Sequence, residues 1–155
     1  MLFRSRLKTG FPRFEPYSIA HLVDLSLERN PPPSGVKIVK KYSPVKPIKV
    51  DPSQMEDVFT NIIVNAYQAM GENGGALLIE VKETDEYILT SFSDEGPGIK
   101  TPIDSIYDLF HTTKKDGIGF GLFRAQRVIK AHRGFIYAEN RLAKGATFSI
   151  KLPIQ

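Results

Sequence analysis

The residue order predicts an α/β chain: a two-layer α/β sandwich with a mixed sheet packed on about three helices. Three observations carry that expectation. Segments with apolar residues every three or four positions alternate with segments of two-residue period, such as Leu77, Ile79 and Val81 against Glu80 and Lys82. The strand-like segments have one apolar face, which suits a mostly antiparallel sheet covered on one side. The 155 residues suffice for one domain with a real core, and the 41% apolar and 25% charged fractions are those of an ordinary globular protein.

The elements follow in order. Pro12, Pro16, Pro31 to Pro33, Pro44, Pro47 and Pro52 crowd the first third, so short elements and stiff connections are expected there. Residues 1–13 read as a basic lead-in and residues 14–155 as the folded domain. Ser18 caps a helix to about Arg29 with Ile19, Leu22, Val23 and Leu25 inward, and the prolines after Asn30 end it. Residues 36–42 and 48–50 read as strands. Asp51-Pro52-Ser-Gln54 opens the next helix with an Asp cap, a first-turn proline and Gln at the capping-box position. That helix stops near Gly71. Strands at 76–83 and 86–93 flank a tight turn around Thr84-Asp85, and a loop-rich stretch covers 94–120. A helix is expected over about 121–132, with Gly134 as its C-terminal glycine, then a hairpin of 135–139 and 146–152.

Composition excludes several classes. Without cysteine there is neither a disulfide scaffold nor a Cys-based zinc site, and a reducing cytoplasm is permitted. No apolar run approaches the roughly 20 residues of a membrane helix, so no direct membrane contact is expected of this chain. The net charge of +4 is scattered apart from Arg4-Ser-Arg-Leu-Lys8, and no nucleic-acid partner is expected.

Three local patterns could carry chemistry. Along the middle helix Asn61, Asn65 and Gln68 fall within roughly 60° of one another and form a polar stripe. Met55, Val58, Phe59, Ile62, Ile63 and Ala66 fill the buried arc beside it. Carboxamides are poor interior helix residues, so the stripe either faces solvent or serves a shared polar partner, for which Mg²⁺ with phosphates is chemically suited. Asp94-Glu-Gly96-Pro-Gly98-Ile99 lies at a strand end, where a carboxylate can accept from an exocyclic amine and glycines let backbone approach a flat ring; a plain turn has the same composition. In His111-Thr112-Thr113-Lys114-Lys-Asp-Gly117-Ile-Gly119-Phe-Gly121-Leu122, glycines run into a helix N-terminus, which favours an anion. This is neither a Walker A loop nor a Rossmann fingerprint.

The succession of these patterns, from about Phe14 to the end, closely resembles the catalytic ATP-binding domain of sensor histidine kinases in the GHKL ATPase superfamily. Residues 51–70 resemble the N box in its nitrogen-regulation-type variant, and 94–99 the G1 box. Ile106-Tyr-Asp-Leu-Phe110-His-Thr-Thr-Lys114 resembles the F box, 117–122 the G2 box, and Arg127 to Gly134 with Gly145 to Pro153 the closing helix and strand. The resemblance implies the Bergerat-type GHKL fold, with ATP and Mg²⁺ as cofactors. It implies that Asn65 holds the metal with Asn61 beside it, and that Gln68 reaches toward the phosphates. Asp94, helped by Thr147, takes the adenine amine, with Gly96, Gly98 and Ile99 along the base. Gly117, Gly119 and Gly121 wrap the phosphates. Phe110, Thr112, Thr113, Lys114 and Leu122 complete the nucleotide site, with Lys114 also in a catalytic role within the lid.

The chain departs from the family pattern at Gln68, where many relatives have Lys, and at Ile118 and Phe120, which replace Thr and Leu. The stretch from Tyr107 to His111 is also short. The phosphoacceptor motif, His followed by an acid and a nearby Pro, is met by none of His21, His111 or His132, each of which reads as structural or surface. Residues 1–13 resemble the tail of a preceding dimerisation helix. The resemblance implies a cytoplasmic catalytic half, excised or naturally separate, whose parent is soluble or membrane-anchored. Its partners would be the dimerisation and phosphoacceptor domain and a response regulator receiver domain. A stand-alone GHKL serine/threonine switch kinase of the anti-sigma-factor type is the alternative, and a nucleotide-sensing docking module the reading outside enzymes.

Overall fold

The computed structural model describes residues 12–99 and 118–154, with side chains after Phe120 in the second stretch. A five-stranded mixed sheet is covered on one face by three helices. Its strands are β2 (Val36–Tyr42), β4 (Gly75–Glu83), β5 (Tyr87–Ser93), β6 (Phe135–Asn140) and β7 (Ala146–Pro153), in the order β2-β4-β5-β7-β6. Only β2 and β4 pair parallel; the other pairs are antiparallel. The register places Ile79, Phe92 and Phe148 in one row and Val81, Thr90 and Ile150 in the next, all toward the helices. The expected alternation therefore holds: the inward residues are buried, Phe148 partly, because the sheet has one covered face.

The helices are α1 (Ile19–Arg29), α2 (Pro52–Met70) and α3 (Ile118–Ala131), and α2 lies between the other two. Met55, Val58, Phe59, Ile62 and Ile63 of α2 are at most 2% exposed, and the Phe59 ring meets Phe92 at 5.9 Å. Burying such side chains contributes roughly 1.5–3 kcal/mol each. A 3₁₀ turn, Gly71–Asn73, leads from α2 into β4.

A small second sheet was not expected. β1 (Glu15–Tyr17) pairs antiparallel with β3 (Ile48–Val50). With Pro16 at its centre, β1 has no strand signature of its own; only the partner strand makes it one. The lead-in is also tied to the fold at its last residue, since the Arg13 N–H donates to Asp51 Oδ2 at 2.7 Å.

Three helix ends differ from expectation. Asp51 caps α2 as read, its Oδ1 accepting the Gln54 N–H at 2.9 Å, but the reciprocal half of the capping box is absent. The Asp51 N–H instead donates to His132 Nε2 at 3.0 Å, and Gln54 Oε1 is buried without a partner among the described residues. A residue 81 positions away supplies the acceptor, which no local pattern encodes. At the end of α3 the left-handed residue is Arg133 (φ 61), not Gly134. The Gly134 and Arg133 N–H groups return to the Ile129 and Lys130 carbonyls, a Schellman closure. Gly134 is required because a Cβ there would collide with the Lys151 carbonyl of β7. Finally, α3 begins at Ile118 rather than 121, so Gly119 and Gly121 belong to its first turn.

Candidate functional site

The site forms where the C-terminal half of α2, the end of β5, the start of α3 and the β6–β7 hairpin meet. The carboxamide stripe of α2 lies along its edge. Asn61 Nδ2 donates to the Gly121 carbonyl at 3.4 Å, which seats the glycine-rich start of α3 against the stripe. Asn65 is partly buried and its Nδ2 is enclosed without a hydrogen-bond partner among the described residues; Gln68 is exposed.

Asp94 follows β5 and is held from three sides. Its N–H donates to the Ala146 carbonyl at 2.9 Å, and its own carbonyl accepts from Arg141 Nη1 at 2.8 Å. Its Oδ1 accepts the Gly96 N–H at 2.8 Å and, more weakly, the Ala146 N–H at 3.4 Å. Oδ2 has no partner among the described residues. The residue is 3% exposed, and burial pushes its carboxyl above the usual range; the Gly96 and Ala146 N–H groups and the Arg141 charge pull the other way. Gly145 is bound to this arrangement. It adopts φ +94, and a Cβ there would run into the Asp94 carbonyl.

The loop after Asp94 rests on α2. A Cβ on Gly96 would lie 2.7 Å from the Ala69 carbonyl, so glycine permits the contact between loop and helix. Glu95 Oε1 accepts the Ala76 N–H at 2.8 Å, a structural tie to β4. Thr147, at the start of β7, shares a 2.8 Å hydrogen bond with Ser93, the residue before Asp94. Leu122 is fully buried.

Asn61 and Gly121 meet near the middle of α2, and Asp94, Gly96 and Thr147 gather near its C-terminal end, where Gly96 rests on Ala69; Asn65 and Gln68 lie between the two groups along α2, and Gly98 and Ile99 further along the loop. Phe110, Thr112, Thr113, Lys114 and Gly117 lie outside the described residues. His132, expected to be structural or surface, is structural: it is buried, with Nδ1 donating to the Val128 carbonyl at 2.8 Å and its ring against Phe14. Asn140 and Arg141 were not read from the residue order, and Gly145, read as the start of the closing strand motif, was not read as a support for Asp94. The only local signal was Gly145 at a hairpin turn; the other two act on residues more than forty positions earlier.

No helix among the described residues is long and apolar enough to cross a membrane. No group of three or more His, Cys, Asp or Glu side chains there could form an all-protein metal cage.

Fold and site together define an ATPase-type α/β sandwich. The family model described as histidine kinase-, DNA gyrase B-, and HSP90-like ATPase matches residues 50–155, and the chain belongs to that family. The sensor histidine kinase ZraS of Salmonella typhi is 38% identical over 113 residues, covering 71% of this chain and 24% of ZraS. Sporulation kinase E of Bacillus subtilis is 35% identical over 113 residues, 72% of this chain and 15% of that kinase. The chain therefore spans at most 24% of either relative's length. Among solved structures, the catalytic domain of the histidine kinase ThkA superposes with a TM-score of 0.78 at 25% identity, covering 91% of this chain and 95% of ThkA's.

Proposed function

We propose that this chain is the ATP·Mg²⁺-binding catalytic domain of a sensor histidine kinase, passing the γ-phosphoryl group to a histidine on a separate helical domain. A response regulator would take the group onward. The observation that carries the reading is Asp94, a buried carboxylate with Oδ1 committed to backbone donors and Oδ2 open to a ligand amine. Few folds retain an ionisable group at such a cost in desolvation without a use for it. In this reading Asp94 accepts from the adenine amine and Ile99 lies along the base. The N–H groups at the start of α3 face the phosphates, aided by the partial positive charge of the helix end. Gln68 offers a polar, uncharged contact, and Lys114 a cation.

The amides fit a metal. The nitrogen ends of Asn61 and Asn65 are respectively bonded to Gly121 and enclosed, which leaves their oxygens as the ends available to a hard cation. Mg²⁺, when bound, would neutralise phosphate charge. The protein's own part is positioning, which dominates phosphoryl transfer. With ATP as substrate and no spanning helix among the described residues, the domain would work in the cytoplasm whether its parent is soluble or membrane-anchored.

The test is transfer in trans. The chain is incubated with γ-labelled ATP, Mg²⁺ and a helical domain bearing a His-acid-Pro motif. Acid-labile label on the acceptor histidine is expected, with little labelling of the chain alone. Acid-stable phosphoserine on a partner, or ATP binding with no transfer to any acceptor, would overturn the histidine kinase reading.

A further inference from the structure

We propose that Asn140 is a positioning residue for the nucleotide's base, clasping the Asp94–Ile99 loop by its main chain. The inference rests on the nucleotide reading above. Asn140 is the last residue of β6. Its Oδ1 accepts the Ile99 N–H at 2.7 Å, and its Nδ2 donates to the Ile99 carbonyl at 3.2 Å. One carboxamide thus meets both main-chain polar groups of one residue, as a neighbouring strand would. The reach is 41 positions along the chain, so the side chain is not serving its own hairpin.

A second observation points the same way. Gly98 adopts φ +89, and a Cβ there would stand 2.8 Å from Asn140 Oδ1. The backbone passes close beneath the amide, and only a residue without a side chain lets the clasp close.

The adjoining Arg141 holds the Asp94 carbonyl at 2.8 Å. Consecutive residues at the end of β6 therefore pin the first and last residues of the loop. The first end has further support from Ala146, Gly145 and Gly96. Among the described residues, the Ile99 end is held by Asn140 alone. Asn140 is exposed and buries little area, so its contribution is to the conformation of the loop rather than to the core. Without the clasp, ATP would have to order the Ile99 end on binding, and affinity would fall by that amount.

The experiment compares wild type, Asn140→Ala and Asn140→Asp. Asn140→Ala should raise the Kd and KM for ATP about three- to tenfold, the size of one or two exposed hydrogen bonds. Its kcat at saturating ATP and its thermal midpoint should stay near wild type, and the Ile99 amide of the nucleotide-free protein should exchange faster. Asn140→Asp keeps the acceptor and should restore much of that amide protection. Wild-type ATP affinity in Asn140→Ala, unchanged Ile99 exchange, or a loss confined to kcat would overturn the clasp. If wild type itself bound no ATP, the nucleotide reading would fall instead, and Ile99 exchange would still judge the contact.

Discussion

In the proposed reading, Asp94 would serve binding at the expense of stability. Burial raises its folded-state carboxyl above the unfolded value, so its proton is held more tightly in the native protein. The sign follows from linkage: stability present below the ordinary value of about 3.9 is lost as pH rises through the higher folded value. At neutral pH the ionised side chain therefore weighs against the nucleotide-free fold. Asp94→Asn keeps an oxygen for the Gly96 N–H and removes the charge. Its thermal midpoint without nucleotide should rise. The loss of a charge-assisted bond, about 1.5–3 kcal/mol, should weaken ATP roughly 10- to 100-fold. Calorimetry and thermal melts check both, and an unchanged affinity would discard the base contact. Asn65 is tested separately. Asn65→Ala should leave metal-free nucleotide binding in place and abolish its enhancement by Mg²⁺. An unaltered Mg²⁺ titration would reject the amide as a ligand.

At the scale of elements, the junction of α2 and α3 has the clearest consequence. His132 accepts the Asp51 N–H through Nε2 and donates from Nδ1, which requires the neutral ring. Burial lowers its pKa, against the pull of the Val128 carbonyl and the Asp51 charge. As pH falls the unfolded chain takes the proton first. Stability present above about pH 6.5 is therefore lost progressively as pH drops toward the lower folded value. Urea midpoints measured from about pH 8 to about pH 5 should fall in that window, and His132→Gln should flatten the curve there. A wild-type midpoint indifferent to pH over the same range would show that the ring does not titrate as buried. The junction also ties Arg13 to Asp51 at the start of α2 and Phe14 to His132 after α3, so the incoming chain, α2 and α3 share one anchoring point.

For the whole molecule, the decisive prediction is division of labour: nucleotide chemistry here, the accepting histidine elsewhere, as transfer in trans would reveal. Much of this architecture was legible in the residues. Period-two alternation marked β4 and β5, and the 3.6-residue stripe marked α2, because one covered sheet face and one buried helix arc impose those periods on any such chain. The stripe of Asn61, Asn65 and Gln68 stood out because carboxamides contradict that pattern. Other features had no local signature. β1 exists only against β3, the Asp51 cap is completed by His132, and Arg133 rather than Gly134 turns the chain out of α3. Apart from β1, residue order decided which segments are helix or strand and which side chains are chemically out of place, since both follow from near neighbours. Tertiary packing alone decided that Asn140, Arg141 and Gly145 converge on the Asp94 loop. Those contacts join positions more than forty residues apart, and closing such distances depends on the whole sheet being assembled.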